Sequence, residues 1–429
     1  MKLLVALVLV SVAVAKHEEY SGWKSFFVKA TDRDQLVLLR SVDERFDLDY
    51  LSNPKVNSEG VVLVQPQHIE GFTNFLAENK IYYRIHSENI AESLNYDDEA
   101  IEARARDILS RGGARIPYNN YQRLSVIDDY LRDMANRYPT RATLVSPANS
   151  FDGRPIYYLK ISSTNFADTS KPVIFIEGGI HAREWISPPV VTWVVRKLLE
   201  DVTEPDLLQR FDWIVLPVSN PDGYEFSHTN SRFWRKTRST NTSNLSGMCP
   251  GVDGNRNYDF FWNTVGSSSN ACTDTYAGNV PFSEIETRVV RDVILENLNR
   301  MALYVTVHSY GSMILYPWGH DGTLSNNALA LHTVGIAMAD GIHSLALSNF
   351  PRYIVGNSVL VIGYAASGAS EDYAHSVGVP LSFTIELPGL SGGTQGFALP
   401  PQHIEQVCRE TWAGFVAAAR RAGDLYVMP

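Results

Sequence analysis

The sequence predicts an α/β fold with a mixed, mainly parallel sheet that carries helices on both faces, preceded by a small α+β unit. From about residue 112 onward, short runs that are apolar throughout alternate with amphipathic helical patterns. Such runs are typical of parallel strands that are covered on both sides. The 429 residues, of which 45% are hydrophobic and 20% charged, suffice for two or three compact domains.

The predicted elements follow one another in a regular order. In the larger part, strands are predicted over 173–176, 213–218, 302–307 and 381–385, and helices over 188–199, 329–345 and 401–421. In the first part, residues 16 to about 95, shorter alternating runs predict strands over 23–28, 60–64 and 81–85, with helices over 32–42 and 66–78. We find no candidate chemistry in this first part.

The first fifteen residues have the pattern of a signal peptide. Lys2 precedes an apolar run over 3–14, and the small residues Ala13 and Ala15 come directly before a polar segment. A membrane anchor is the alternative, but a span needs about 20 apolar residues. We therefore expect a secreted, extracellular protein without a membrane partner. The net charge of −10 argues against nucleic acid as a partner.

Three cysteines fit one disulfide in an oxidising compartment. Cys249 and Cys272 flank a loop rich in glycine, asparagine and serine, so we predict that they pair. Cys408 lies in a helical pattern and is expected to be a buried free thiol. The same polar stretch holds two N-glycosylation acceptor patterns, at Asn241 and Asn244.

A charged helical stretch over 97–109 runs into a basic segment that contains glycine. Four arginines, Arg104, Arg106, Arg111 and Arg115, stand beside small residues, as cleavage by a trypsin-like protease requires. A plain linker is the alternative, but so many basic cleavage points favour an activation segment. The predicted domains are a signal peptide over 1–15, a unit with its activation segment over 16–111, and a larger domain over 112–429.

Three predicted strand ends carry residues with metal-binding or acid–base chemistry. His181 and Glu184 follow the strand at 173–176, His308 follows that at 302–307, and Glu386 follows that at 381–385. Ligands gather at strand carboxyl ends in such sheets, and two histidines with a glutamate are a ligand set that catalytic zinc uses. Taken singly, each histidine is better explained as a hydrogen-bonded residue, and Glu386 as an ion-pair partner. With zinc nearby, Glu386 is a candidate general base.

A second group of residues is cationic or polar. Arg183 and Arg235 stand out in an acidic protein, and Asn255 and Arg256 lie in a loop rich in glycine and asparagine. A surface role is the alternative interpretation. Because a planar guanidinium matches a carboxylate, Asn255 and Arg256 predict a pocket for an anionic chain end.

Together these motifs resemble the secreted zinc metallocarboxypeptidases of the pancreatic and digestive A/B type. The resemblance covers nearly the whole chain, including a signal peptide, a pro-domain and a basic activation segment. The segment after Glu386 is more glycine-rich than the family pattern. The motifs occur in the order Gly-Ile-His181-Ala-Arg-Glu184-Trp, Trp-Arg235-Lys-Thr-Arg, Asp253-Gly-Asn255-Arg256-Asn, His308-Ser-Tyr310, Tyr364-Ala-Ala-Ser-Gly and Phe-Thr-Ile-Glu386-Leu.

The resemblance implies a metal centre with one Zn²⁺ per chain. His181, Glu184 and His308 are implied to hold the ion, and Asp253 to orient His181. Glu386 is implied to be the general base. The single disulfide of the family coincides with the predicted cysteine pair. The implied partners are a trypsin-like activating protease and proteinaceous carboxypeptidase inhibitors.

The resemblance also implies how a substrate is held. Arg235 is implied to stabilise the oxyanion of the tetrahedral intermediate. Asn255, Arg256 and Tyr364 are implied to bind the terminal carboxylate of a peptide or protein, which makes the enzyme an exopeptidase. The residues implied to line neighbouring subsites are Arg183 and Tyr310.

Specificity in this family depends on the residue seven positions after the carboxylate-binding tyrosine, here Glu371. An aliphatic residue there accompanies A-type preference for apolar or aromatic C-termini, and aspartate accompanies B-type preference for Lys and Arg. One interpretation is that Glu371 simply begins a helix. If it faces the pocket instead, its charge requires a cationic side chain, and we predict C-terminal Lys and Arg as substrates. Lys is expected before Arg because glutamate is longer than aspartate.

The function implied is therefore the zymogen of a zinc carboxypeptidase with basic specificity. The same chemistry with A-type or mixed specificity is one alternative. An inactive homologue that acts as a secreted binding protein is the other.

Overall fold

The computed structural model describes residues 16–110, 116–243, 247–389 and 396–426. These residues form a small N-terminal unit with a four-stranded sheet and a large domain with an eight-stranded sheet. The predicted signal peptide, Arg111, Arg115, Asn244 and residues 390–395 of the glycine-rich segment lie outside the described residues. Within the described residues, no helix is both long and apolar enough to span a bilayer.

The N-terminal unit is an antiparallel sheet of four strands in the order β2-β3-β1-β4, with helices packed on it. Its core contains Phe26, Val62, Phe72 and Leu76, all fully buried. The bounds of the predicted strands and helices of this unit lie within three residues of the observed ones. Its elements are β1 (Lys24–Lys29), α1 (Arg33–Ser41), α2 (Asp43–Phe46), β2 (Asp49–Ser52), β3 (Glu59–Val64), α3 (Ile69–Glu78), β4 (Tyr82–Ser87) and α4 (Ile90–Ser110).

Helix α4 links the N-terminal unit to the large domain and begins seven residues before the predicted start at 97. Its first turns bury Ile90 and Leu94, which are spaced by four and lie on one face of the helix. Further along, the Arg104 guanidinium donates to Gln402 Oε1 at 3.2 Å in the large domain. The helix is therefore packed against both parts of the molecule.

The large domain contains a mixed sheet of eight strands in the order β11-β10-β12-β9-β7-β8-β6-β5. The central strands β12, β9, β7 and β8 are mutually parallel, and antiparallel strands extend the sheet on both sides. Its elements are α5 (Leu124–Arg137), β5 (Ala142–Val145), β6 (Tyr158–Ile161), β7 (Val173–Gly178), α6 (Ser187–Leu199), α7 (Asp206–Arg210), β8 (Asp212–Leu216), α8 (Pro221–Thr229), α9 (Ile285–Glu296), β9 (Met301–Ser309), β10 (Met313–Tyr316), α10 (Ala328–His343), β11 (Ile354–Asn357), α11 (Ser358–Ile362), α12 (Ser370–Ser376), β12 (Leu381–Leu387) and α13 (Ile404–Tyr426).

Strand β7 shows why the central runs are apolar throughout. Successive side chains of a strand point to opposite faces of the sheet. Ile174 and Ile176 pack into a cluster with α5, α6, α10 and α13, whereas Val173 and Phe175 pack into a second cluster with α9 and α12. Helices therefore cover both faces, which confirms the predicted fold class.

The sequence did not predict the strands at the margins of this sheet. Strands β5, β6, β10 and β11 have four residues each, too few for an alternating pattern to stand out. Edge strand β11 also begins at Ile354, which is 56% exposed. It pairs with one neighbouring strand only, β10.

Candidate metal centre and substrate cleft

The carboxyl ends of the parallel strands β7, β9 and β12 bring the predicted reactive residues together. His308 near the end of β9 is paired in register with Glu386 of β12. The loop after β7 turns at Gly179, whose φ of +72° lies in the left-handed region that glycine tolerates, and then carries His181 and Glu184. Neighbouring strands thus deliver all four side chains to one edge of the sheet.

His181, Glu184 and His308 form a compact and buried group. His181 Nδ1 lies 2.8 Å from Glu184 Oε1 and 3.1 Å from His308 Nδ1. His308 Nδ1 in turn lies 3.0 Å from Glu184 Oε2. All three side chains are less than 5% exposed. Two imidazole nitrogens and a carboxylate converging on one point are a donor set that catalytic zinc uses, so these residues fit the ion.

Other polar groups hold this donor set in place. His181 Nε2 lies 2.9 Å from Asp253 Oδ1, and His308 Nε2 lies 3.1 Å from Thr306 Oγ1. Although burial opposes it, the Arg235 guanidinium and the hydrogen-bonded His181 ring hold the pKa of Asp253 well below its usual range. An ionised carboxylate beside one ring nitrogen leaves the other nitrogen available to a metal. Thr306 was not predicted, although its place two residues before His308 puts it on the same face of β9.

Glu386 is a buried carboxyl group beside the donor set. Burial, and then the negative charge of Glu184, raise the pKa of Glu386 to about 8, against the opposing charges of His308 and Arg235. Its strand partner His308 fixes the register that brings it there. A carboxyl group with a raised pKa can accept a proton near neutral pH and return it.

Arg235 extends from a loop of the large domain toward the same point. Its Nε and Nη2 donate to Asp253 Oδ2 at 3.0 and 2.8 Å, and its Nη1 lies 3.3 Å from His181 Nδ1. These two hydrogen bonds to one carboxylate oxygen fix the plane of the guanidinium. This plane aims Nη1 at the donor set.

Asn255, Arg256 and Tyr364 line the same cleft. Arg256 Nε donates to Gly266 O at 2.8 Å, and its Nη1 donates to Asn255 O at 2.7 Å. Asn255 Oδ1 accepts the backbone N–H of Ser370 at 2.9 Å. The structure thus brings these three predicted residues together, at the wall that leads to helix α12.

Glu371 lies in the first turn of helix α12 and also faces the cleft, so the two interpretations of this residue are compatible. The side chain is 5% exposed, and its Oε2 has no hydrogen-bond partner among the described residues. Burial, and then the adjacent Asp372, raise the pKa of Glu371 to about 7. Thr384 lines the same cleft, and its hydroxyl hydrogen bond to Glu371 favours the charged carboxylate without offsetting burial. Thr384 was not predicted, although it lies two residues before Glu386 on one face of β12.

The N-terminal unit covers this cleft. Arg183, 5% exposed, donates from Nη1 to Asp49 Oδ1 of β2 at 3.2 Å and to Asp274 Oδ2 at 3.0 Å. Nearby, Lys55 Nζ donates to Val361 O at 2.9 Å. Tyr310 packs edge-on against Phe397, 5.0 Å between ring centroids, in a cluster shared with the N-terminal unit. Asp49 was not predicted, because a single acidic residue carries no spacing signal.

The structure confirms the predicted cysteine pair and the predicted free thiol. Cys249 and Cys272 form a disulfide, and Cys408 is a buried free thiol in α13. The Cys408 side chain is fully buried, and burial raises its pKa well above the usual range. Asn241 of the first glycosylation pattern is exposed.

Comparison with known families agrees with this geometry. Residues 127–414, more than half of the chain, match the zinc carboxypeptidase family. The chain belongs to the zinc carboxypeptidases. Residues 26–97 of this zinc carboxypeptidase match the carboxypeptidase activation peptide. The metal is therefore zinc, and the cluster of His181, Glu184 and His308 is a site that fits one ion.

Individual relatives carry names of both specificity types. The zinc carboxypeptidase is 61% identical to carboxypeptidase B of Helicoverpa zea over 99% of this chain and 100% of the relative. Among solved structures it resembles carboxypeptidase A from Helicoverpa armigera, with a TM-score of 0.90 and 40% identity over 96% of this chain and 100% of the other. It also resembles bovine thrombin-activatable fibrinolysis inhibitor in complex with tick carboxypeptidase inhibitor, with a TM-score of 0.66 and 31% identity over 72% and 99% of the two chains.

Proposed function

We propose that this chain is the zymogen of a secreted zinc carboxypeptidase that removes C-terminal Lys and Arg from peptides and proteins. The basic specificity is inferred from the surroundings of Glu371. This buried carboxyl group lines the cleft, and its Oε2 has no hydrogen-bond partner among the described residues. A substrate ammonium or guanidinium supplies the missing partner. A substrate with an apolar side chain lacks this charge pair, and removal of one partner of such a buried pair costs roughly 2 to 5 kcal/mol.

In the proposed mechanism, the residues of the cleft divide the work of peptide hydrolysis. Asn255, Arg256 and Tyr364 bind the terminal carboxylate, which limits cleavage to the last peptide bond. His181, Glu184 and His308 would hold zinc, and Asp253 would orient His181 through its hydrogen bond. The ion would supply Lewis-acid polarisation of water and of the scissile carbonyl.

Glu386 transfers the proton and Arg235 stabilises the negative charge. Glu386 takes a proton from the attacking water and passes it to the leaving amine nitrogen, so no covalent acyl-enzyme is needed. Arg235 Nη1 donates a hydrogen bond to the oxyanion of the tetrahedral intermediate. Arg183 and Tyr310 contact the substrate residues that precede the scissile bond.

A-type or mixed specificity is the second candidate. A pKa near 7 leaves Glu371 partly neutral at neutral pH, and a neutral carboxyl group tolerates an apolar side chain better than a charged one does. The similar Helicoverpa armigera structure is also named carboxypeptidase A. Both candidates use the same zinc chemistry and differ only in the pocket.

The experiment that tests this function measures kcat/KM after limited trypsin treatment of the secreted protein. Matched peptides ending in Lys, Arg, Leu, Phe and Glu are compared with and without a zinc chelator. We expect chelator-sensitive release of Lys, then Arg, far ahead of Leu. Faster release of Leu or Phe would establish the A-type candidate, and equal turnover of Lys and Arg would remove the Lys preference. Bound zinc without any release would support an inactive binding protein.

We further propose that residues 16–111 are removed during activation. Arg104 and Arg106 lie within helix α4, whose hydrogen-bonded backbone does not fit the extended site of a trypsin-like protease. Cleavage is therefore expected after Arg111 or Arg115. Secretion, a digestive setting and binding of proteinaceous inhibitors are part of the same proposal, and the similar complex with tick carboxypeptidase inhibitor supports the last of these.

Substitution of Asp49 tests whether the N-terminal unit blocks the cleft through Arg183. Asp49→Ala removes a charge-assisted hydrogen bond whose loss costs about 1 to 2 kcal/mol, so activity of the uncut protein toward a small Lys-ending peptide is expected to rise about 5- to 30-fold. Asp34→Ala, at an exposed acidic residue of α1, is the matched control. An uncut Asp49→Ala protein as inactive as this control would contradict the blocking role.

A further inference from the structure

The guanidinium of Arg183 is shared between two carboxylates. Its Nη1 donates to Asp49 Oδ1 of the N-terminal unit at 3.2 Å and to Asp274 Oδ2 of the large domain at 3.0 Å. Arg183 is buried, and a buried cation requires an ionised partner. When the N-terminal unit is removed, Asp49 leaves with it. Of the two carboxylates, Asp274 is the one that stays with Arg183.

The large domain holds Asp274 in place. Asp274 lies two residues after Cys272, which forms the disulfide with Cys249, and two residues before Tyr276. Tyr276 is buried, and its carbonyl oxygen accepts the backbone N–H of Asp253 at 2.9 Å. Both flanks of Asp274 are thus fixed by contacts that remain when the N-terminal unit leaves.

The Asp274 carboxylate is the exposed end of its ion pair with Arg183. The two side chains are 46% and 6% exposed, respectively, while the N-terminal unit is in place, and both line the cleft. A charged group that approaches from the cleft therefore meets the carboxylate before it meets the guanidinium. The interaction with the nearer charge is the stronger one, so this part of the cleft favours a cation.

Asp49 shows how Asp274 acts on a second acidic side chain at the same place. Burial raises the pKa of Asp49 to about 6, the Arg183 guanidinium opposes the rise, and the negative charge of Asp274 adds to it. A carboxylate brought to Arg183 from outside the large domain is therefore repelled by Asp274 as well as attracted by Arg183. An acidic substrate side chain at this place would experience the same repulsion.

We propose that Asp274 is a specificity-determining residue that favours basic and disfavours acidic side chains in the part of the substrate just before the scissile bond. The inference rests on the proposed function, in which Arg183 contacts these substrate residues and Glu371 selects the C-terminal one. Two carboxylates at separate subsites then select peptides that end in consecutive basic residues. Each release of Lys or Arg from such a peptide leaves another basic C-terminus, so the enzyme trims a basic tail stepwise.

The test uses the full chain after limited trypsin treatment that is stopped with a protease inhibitor. kcat/KM is measured on peptides that all end in Lys and carry Lys, Gln or Glu at each of the two preceding positions. The unsubstituted enzyme is expected to prefer Lys over Glu there. Asp274→Asn is expected to lower this Lys/Glu ratio about 5- to 30-fold, with turnover falling for Lys and rising for Glu, because Arg183 then lacks its carboxylate. Asp274→Glu retains the charge and is expected to retain the preference.

Asp201→Asn is the matched control. Asp201 is also a partly exposed aspartate that is paired with an arginine, Arg196, but it lies outside the cleft. The inference is overturned if the unsubstituted enzyme does not prefer Lys over Glu before the scissile bond, if Asp274→Asn keeps the unsubstituted ratio, or if the control shifts it equally. Equal loss of turnover on all peptides in Asp274→Asn would indicate a structural role and would overturn it as well.

The proposed function is tested separately on the same preparations, by the ratio of Lys to Leu release from the C-terminus. Asp274→Asn is expected to leave that ratio unchanged, because Glu371 sets it in the proposed function. Absence of a C-terminal preference for Lys would contradict the proposed function. The effect of Asp274 would then still be measured, on peptides that end in whichever residue the enzyme releases.

Discussion

Replacing Glu386 by glutamine is expected to lower kcat/KM on every C-terminal residue by about 10²- to 10⁴-fold, because the amide cannot accept the proton of the attacking water. Glutamine keeps the shape of the side chain, and Glu386 is not part of the proposed zinc-ligand set. The loss is therefore expected in kcat rather than in zinc content. Steady-state kinetics and metal analysis of the same preparation measure both quantities.

Glu410→Gln is the matched control for this variant. Glu410 of α13 is also a buried glutamate, and burial raises its pKa to about 7, but it does not line the cleft. The control is expected to keep the activity of the unsubstituted enzyme. A Glu386→Gln enzyme with full zinc content and activity within tenfold of normal would rule out Glu386 as the base.

Glu371→Gln is expected to change the substrate rather than the chemistry. Loss of the pocket charge removes about 2 to 5 kcal/mol of discrimination, so kcat/KM for Lys-ending peptides is expected to fall about 30- to 4000-fold, while that for Leu-ending peptides stays the same or rises. The ratio of Lys to Leu turnover is the measured quantity. It is insensitive to small differences in zinc loading or in the fraction of active enzyme.

The pH dependence of that ratio gives a second measure. The folded-state pKa of Glu371 is raised to about 7, so the side chain is neutral below this pH and charged above it. The Lys/Leu ratio is therefore expected to rise with pH through about 7 in the unsubstituted enzyme and to be flat in Glu371→Gln. A variant that still prefers Lys, with the same pH profile, would show that Glu371 does not set specificity.

The site could be predicted because its residues combine two signals. They have a metal-ligand spacing, and they directly follow apolar strands. Runs that are apolar throughout identified the central strands β7, β9 and β12. Because parallel strands end at one edge, His181, Glu184, His308 and Glu386 were expected to meet there, and the structure brings them together. The family motifs added Arg235, Asn255, Arg256 and Tyr364, which line the same cleft.

Residues that act through a single long-range contact could not be predicted in this way. Asp49 is one of many scattered acidic residues, and its partner Arg183 lies 134 positions away. Such pairs leave no periodicity in the sequence, because the distance between them is set by how two folded units dock.

The sequence by itself determined the fold class, the family, the cysteine pair and the set of reactive side chains, because each rests on local patterning or on a short motif. Only the tertiary structure decided that Glu371 both begins a helix and faces the cleft, and that the N-terminal unit covers that cleft. The physical reason is that a side chain's direction and burial depend on every element packed around it. For Glu371 these elements are α12, β12 and the cleft wall near Asn255, and Asn255 lies 115 positions before its partner Ser370 in the chain.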